Sequence, residues 1–259
     1  MLLGVKPSLG RTRWNSNDGA SIDYLSRVGI SGMRATQTLV VDLERLQRCG
    51  QEGILIIRLM MAANDLALAD WGFMQFKQEQ PRLQRHAQLG ACRYFIRLLC
   101  GHLNEAIKLV QEVRDTPSLS CLIERCTQPT REAFGRLTVC LRGESQDREF
   151  KKYIGQIRHN VAFHYQPTPV ARALADRSSR QEARRATITR GTDLSLWRFD
   201  LADDILDSIV CRQLWHIPKT ADLRTEADRI SDFGSRLCQD FFNFCGEFIF
   251  RYIREHAVL

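Results

Sequence analysis

The sequence feature that most constrains the fold is an apolar seam within residues 81–114. Its members are separated alternately by three and four positions, as on one face of an α-helix: Leu89, Cys92, Ile96, Leu99, Leu103, Ala106, Val110 and Val113. The seam runs over three heptads, which is typical of a helical bundle or a helical dimer. Pro81 at its start and Asp115-Thr116-Pro117 at its end predict one long helix to about Arg114.

Helical periodicity continues after this seam, so the chain is predicted to be all-α. Residues 53–73 are apolar on nearly every side, which predicts a central, buried helix with Arg58 and Asp65 on one shared face. We expect short helices over 118–126 and 129–141, a helix over about 146–165 that prolines end, and C-terminal helices over about 201–255. A small β-hairpin insertion is expected near residues 187–199.

Length and composition predict one domain preceded by an arm. Residues 1–33 are rich in Gly, Ser and Asn and lack periodicity, so we expect a loose N-terminal arm before a single helical domain over 34–259. No apolar run approaches the roughly 20 residues of a membrane span. The start of the chain also lacks the apolar core of a signal peptide, so a cytoplasmic location without a membrane partner is expected.

The cysteine spacing and the excess of basic residues indicate which ligands this chain can bind. The nine cysteines form no CxxC pair, which favours buried free thiols and predicts no metal site. The 37 basic residues exceed the 30 acidic ones by seven, and 31 of the basic residues are arginine, which suits a nucleic-acid partner. Dinucleotide, P-loop, zinc-protease and nucleophile-elbow motifs are all missing from the sequence, and no cofactor is predicted.

The most informative segment is Ile157-Arg158-His159-Asn160-Val161-Ala162-Phe163-His164-Tyr165. On an α-helix His164 continues an apolar seam, and Asn160, one turn earlier, is placed to orient its ring: the seam is Phe150, Ile154, Ile157, Val161 and His164. Arg158 lies about 120° away from His164 around the helix axis. Two copies of the helix packed across a two-fold axis would bring arginine and histidine into one cleft.

This set suits metal-free cleavage of RNA. A histidine can take the proton of the 2′-hydroxyl or protonate the leaving 5′-oxygen, since an imidazole titrates near neutral pH. An arginine can bind the scissile phosphate and stabilise its developing charge, while His159 or Asn160 orients the pair. The alternative is a satisfied core histidine beside a solvated arginine. The chain would then be a non-catalytic helical interaction or nucleotide-binding module.

The pattern Arg158-x5-His164, with polar His159 directly after the arginine, resembles the HEPN superfamily signature. The block from Arg97 to Ala106 is similar to the preceding helix of abortive-infection and toxin-type members, and the resemblance covers about 50–165. It implies a HEPN-like helical bundle that dimerises through its motif helices. It also implies a metal-independent endoribonuclease of phage defence or a toxin–antitoxin pair, with an antitoxin protein as partner.

Carried over from that resemblance, Arg158 and His164 are the catalytic pair, and His159 and Asn160 support them. The family often adds an acidic residue from an earlier helix, for which Asp65 and Glu105 are the two candidates.

A basic stretch follows the motif and is expected to be a loop over about 168–190. It contains six arginines and only two acidic residues. We expect this loop to contact the RNA backbone through Arg180, Arg184 and Arg185. It has no interleaved aromatic residues for base stacking, so sequence-specific recognition is not predicted.

Overall fold

The structure is a computed structural model that describes residues 38–77, 85–162, 166–179, 199–218 and 220–257. The chain divides into two compact units, Met1–Thr38 and Leu39–Leu259. The first unit lies almost wholly outside the described residues, and so does the N-terminal arm predicted over 1–33. The described helices all belong to the second unit.

The second unit is all-α in its described part, as predicted. Its α-helices are α1 (Leu43–Arg48), α2 (Gly50–Lys77), α3 (Arg85–Asp115), α4 (Pro117–Glu124), α5 (Gln128–Thr138), α6 (Asp147–Phe150), α7 (Pro167–Ser178), α8 (Asp200–Ser208) and α9 (Leu223–His256). Among the described residues, three π-helical turns extend two of these helices: Lys151–Gly155 and Arg158–Ala162 follow α6, and Ile209–Leu214 follows α8. Residues 187–198 of the expected hairpin lie outside the described residues.

The core forms where α3 and α9 meet their neighbours. Helix α3 contacts α2, α9 and the π-helical turns after α6, while α9 also packs on α5 and α2. The α3 seam is buried at Leu99, Leu103, Ala106, Val110 and Val113, which confirms the periodicity that predicted it. The aromatic stripe of α9 is buried at Phe241, Phe244, Phe248 and Tyr252. Each such side chain contributes about 1.5–3 kcal/mol when fully removed from water.

The prediction that residues 53–73 form a fully buried central helix is wrong for one side of α2. Its inner face, which includes Leu55, Ile56, Leu59 and Leu66, is buried. Its outer face leaves five large apolar side chains exposed: Ile54, Ile57, Met61, Leu68 and Trp71. The apolar residues are spread around all sides of this helix, but within the described part of the chain it has neighbours on one side only, so tertiary packing decides which residues are covered.

Two glycines allow α1 to fold back onto α2. Gly50 joins the helices with a φ of +57°, a left-handed conformation that glycine adopts without strain. A Cβ atom on Gly53 would lie only 2.4 Å from the carbonyl oxygen of Leu46. The two helices therefore approach more closely than any larger residue at position 53 would allow.

The predicted basic loop over 168–190 is wrong for its first half, because Pro167–Ser178 forms α7. Proline is favoured at the first helical position, where no backbone N–H is needed, so Pro167 begins this helix. Ala173 is buried on one face, and Arg177 Nη2 lies 2.9 Å from Asp204 Oδ2 of α8. Residues 180–190 lie outside the described part. Among the described helices, none has the length and apolarity needed to span a bilayer.

Candidate functional site

The candidate site is built on the continuous helical segment over residues 147–162, which we call the motif helix. Its buried side includes Phe150, Ile154 and Ile157, three members of the predicted seam. The side chain of Val161 and all of His164 lie outside the described residues. The two π-helical turns use i→i+5 hydrogen bonds and hold more residues per turn than an α-helix. The 120° angle calculated for an ideal α-helix therefore does not apply after Arg158.

Glu105 holds the guanidinium group of Arg158 along one edge. Its Nε donates a hydrogen bond to Glu105 Oε1 of α3 at 3.1 Å. Its side chain is 32% exposed, and its two terminal amino groups make no hydrogen bond with any described residue. The arrangement fixes the side chain and leaves the planar fork available to an anion.

Glu105 is the centre of a small polar cluster on α3. Lys108 Nζ lies 2.8 Å from both of its carboxylate oxygens, and Asn104 Nδ2 donates to Oε1 at 3.3 Å. Partial burial raises the pKa of Glu105, but the hydrogen bonds and charge of Lys108, the charge of Arg158 and the bond from Asn104 outweigh it, so the pKa is below its usual value. Glu105 is therefore ionised at neutral pH and acts on Arg158 as a fixed negative charge.

The second acidic candidate, Asp65, has a different partner. Its Oδ2 lies 3.6 Å from Nδ1 of His102, which is one helical turn before Glu105 on α3. Of the two acidic residues that the sequence left open, Glu105 is the one that contacts Arg158. Sequence reasoning missed His102, although it stands three positions before Glu105 in the block from Arg97 to Ala106.

The two supporting residues are on the outer side of the motif helix. His159 is exposed. Asn160 uses its side-chain Nδ2 to donate to the backbone oxygen of Gln156 at 2.8 Å and to Gln156 Oε1 at 3.1 Å. Its contact is thus with the preceding turn. The predicted RNA contacts Arg180, Arg184 and Arg185 lie outside the described residues, as does His164.

A pocket of about 360 Å³ opens beside the motif helix, and we call it the basic pocket. Its lining includes Arg148, Lys151, Lys152, Gln156, Gln213 and His216. Lys151 pairs with Asp147 at 2.7 Å, whereas Arg148 forms no ion pair with a described residue. The sequence alone indicates part of this pocket, because three of its basic residues stand within positions 148–152. It could not show that residues near 215 join them.

Gln156 connects the basic pocket to the motif, because it lines the pocket and accepts the hydrogen bond of Asn160. Within the described ranges, no three His, Cys, Asp or Glu side chains are grouped so as to hold a metal ion. Comparison with protein-family models, curated proteins and solved structures finds no match to this chain.

Proposed function

We propose that this chain is a metal-independent endoribonuclease of the HEPN type, a cytoplasmic effector of phage defence or of a toxin–antitoxin pair. The observation that carries the proposal is the Arg158–Glu105 contact. Within an arginine motif that resembles the HEPN signature, one edge of the guanidinium is fixed and the other is left for a phosphate. The support from sequence is the Arg158-x5-His164 spacing in an all-α chain.

In the proposed reaction Arg158 binds the scissile phosphate through its terminal amino groups. These groups stabilise the charge that develops on the non-bridging oxygens as the 2′-oxygen attacks phosphorus. His164 takes the proton from the 2′-hydroxyl and, as the imidazolium, donates a proton to the leaving 5′-oxygen, while the new bond from the 2′-oxygen to phosphorus replaces the broken bond to the 5′-oxygen. Glu105 positions Arg158, and Lys108 and Asn104 in turn hold Glu105.

The basic pocket adds a place for the RNA backbone beside the motif helix. Arg148, Lys151 and Lys152 bring three positive charges against the one carboxylate of Asp147. In the proposal these cations, together with Arg180, Arg184 and Arg185, bind phosphates on either side of the cleaved bond. Such binding releases counterions and weakens steeply as salt rises.

Two partners belong to the proposal besides RNA. The first is a second copy of the chain, in a homodimer whose motif helices share one cleft. The second is an antitoxin protein that keeps the ribonuclease silent. The alternative is a non-catalytic helical interaction or nucleotide-binding module, and the exposed apolar face of α2 favours an interaction role.

The experiment is cleavage of labelled total RNA by purified protein in excess EDTA. Wild type is compared with Arg158→Ala, His164→Ala and Glu105→Gln, and with Arg254→Ala as a matched control at an exposed arginine of α9. We expect products ending in 2′,3′-cyclic phosphate, and a loss of about 100-fold or more for Arg158→Ala and His164→Ala. Glu105→Gln should show a smaller loss and Arg254→Ala none.

Two results would contradict the proposal. Equal cleavage by all folded variants would assign the activity to a contaminant or another site. No cleavage by folded wild type would favour the interaction module.

A further inference from the structure

The outer face of α2 carries a second heptad pattern, which we call the α2 seam. Its residues stand alternately three and four positions apart: Ile54, Ile57, Met61, Asn64, Leu68 and Trp71. The five apolar members are between 44% and 66% exposed. Single exposed apolar residues are common on protein surfaces, but a run at coiled-coil spacing is the mark of a helix–helix contact face. The inner face of α2 is already covered, so this is a separate packing face.

We propose that the α2 seam binds the α2 seam of a second copy of this chain, antiparallel about a two-fold axis. With the axis between positions 62 and 63, Ile54 lies opposite Trp71, Ile57 opposite Leu68 and Met61 opposite Asn64. In this register each of the six seam residues lies opposite a seam residue of the other copy. Asn64, as the polar member of a helical seam, lowers stability and selects the register.

The charges beside the seam distinguish antiparallel from parallel pairing. Arg58 and Asp65 lie on the same flank, seven residues apart, and their side chains are 45% and 58% exposed. In an antiparallel pair this flank meets the same flank of the other copy, so Arg58 of each copy lies beside Asp65 of the other. In a parallel pair it meets the opposite flank, where Gly53, Met60 and Ala67 offer no charge.

Helix α3 supports these two charges from within the chain. Arg58 makes a bidentate contact with Glu112, with nitrogen–oxygen distances of 2.5 and 2.8 Å. Asp65 lies beside His102. These contacts hold both side chains on the flank that faces α3, where they can be shared with a second copy.

The pairing has a consequence for the site. His102, Glu105 and Glu112 lie along one edge of α3. Because the α3-facing flanks meet in the antiparallel pair, the two Glu105–Arg158 pairs lie on the same side of the dimer. The α2 contact is separate from the motif-helix contact of the proposed homodimer, and it depends neither on that contact nor on the proposed ribonuclease activity.

The first test measures the mass of the full chain by analytical ultracentrifugation between about 1 and 100 μM. We expect a dimer of the 29.8 kDa chain for wild type and at least a 100-fold weaker dimer for Leu68→Glu. Leu174→Glu, at an exposed leucine of α7, is the matched control and should dimerise as wild type does. A monomeric wild type over this range, or a Leu68→Glu variant whose dimer dissociation constant lies within about 10-fold of wild type, overturns the proposal.

The second test determines the register. The Ile57→Cys and Leu68→Cys variants are mixed and oxidised. Wild type is oxidised in parallel to measure the cross-linking that the native thiols give on their own. Antiparallel pairing predicts a cross-linked dimer in the mixture and none above background in either variant alone. Cross-linking of Ile57→Cys to itself would show parallel pairing and refute the arrangement. The reversed pair Arg58→Glu with Asp65→Arg should dimerise more tightly than either single variant.

Discussion

Glu247 joins α9 to the start of α5, and its replacement by glutamine gives a sharp test of the fold. The carboxylate accepts hydrogen bonds from the backbone N–H of Thr127 at 3.0 Å, from Thr127 Oγ1 at 2.5 Å and from Thr130 Oγ1 at 2.7 Å. Thr127 is the N-cap of α5 and makes no side-chain cap bond of its own. Glu247 thus supplies the capping acceptor from another helix, at the positive end of the helix dipole.

The pKa of Glu247 gives the magnitude. Burial raises it, but the bonds from Thr127, Thr130 and Arg251 outweigh burial and lower the pKa from 4.5 to about 2. A difference of that size corresponds to an upper limit of about 3 kcal/mol of folding free energy. Because the side chain is 25% exposed, solvent screens part of this energy, and we expect Glu247→Gln to cost about 1–2 kcal/mol at pH 7.

The sign of the pH dependence follows from the lowered pKa. An acid whose pKa is lower in the folded state stabilises the protein fully above its unfolded value, and this stabilisation is lost as pH falls from about 4.5 towards 2. Urea unfolding of wild type and Glu247→Gln should therefore give free energies that differ at pH 7 and converge only as pH falls to about 2. Glu124→Gln, at an exposed carboxyl, should differ from wild type by less than about 0.5 kcal/mol. A difference that is absent at pH 7, or constant across this range, would refute the reasoning.

Two further predictions concern packing. Gly53→Ala should destabilise the fold by about 1–3 kcal/mol, because the new methyl group meets the Leu46 carbonyl, whereas Gly135→Ala in the open part of α5 should stabilise it by about 0.5–1 kcal/mol. If calorimetry showed that Gly53→Ala and Gly135→Ala change the free energy of unfolding in the same direction, this prediction would be contradicted. A thiol reagent at pH 8 should label exposed Cys121 first. Unfolding should be needed to label the five buried thiols, whose pKa burial raises: Cys100, Cys126, Cys140, Cys238 and Cys245. Fast labelling of any of these in the native protein would count against that burial.

Local sequence patterns predicted the helices well, because helical periodicity repeats within each segment. The α3 seam is buried from Leu99 to Val113, as its periodicity predicted. Pro167 shows where local reasoning fell short. The same residue type that ends one helix also begins another, and the burial of Ala173 against its neighbours supports the second outcome.

The candidate site was only partly predictable for the same reason. Arg158, His159 and Asn160 could be selected from a short motif, since their spacing is local. The choice of Glu105 over Asp65 depends on the docking of the motif helix against α3, which brings residues 53 positions apart to 3.1 Å. The basic pocket likewise needs His216 and Gln213, which come from a distant part of the chain.

The sequence by itself determined the all-α character, the α3 seam and the arginine that the proposed chemistry requires. These depend on periodicity and residue type, which act over one or two helical turns. Only the tertiary structure decided that one face of α2 is covered by the core while the α2 seam stays exposed. Both faces are apolar, so the sequence pattern does not distinguish them. Burial is set by the neighbours that a helix acquires, and those neighbours come from remote parts of the chain.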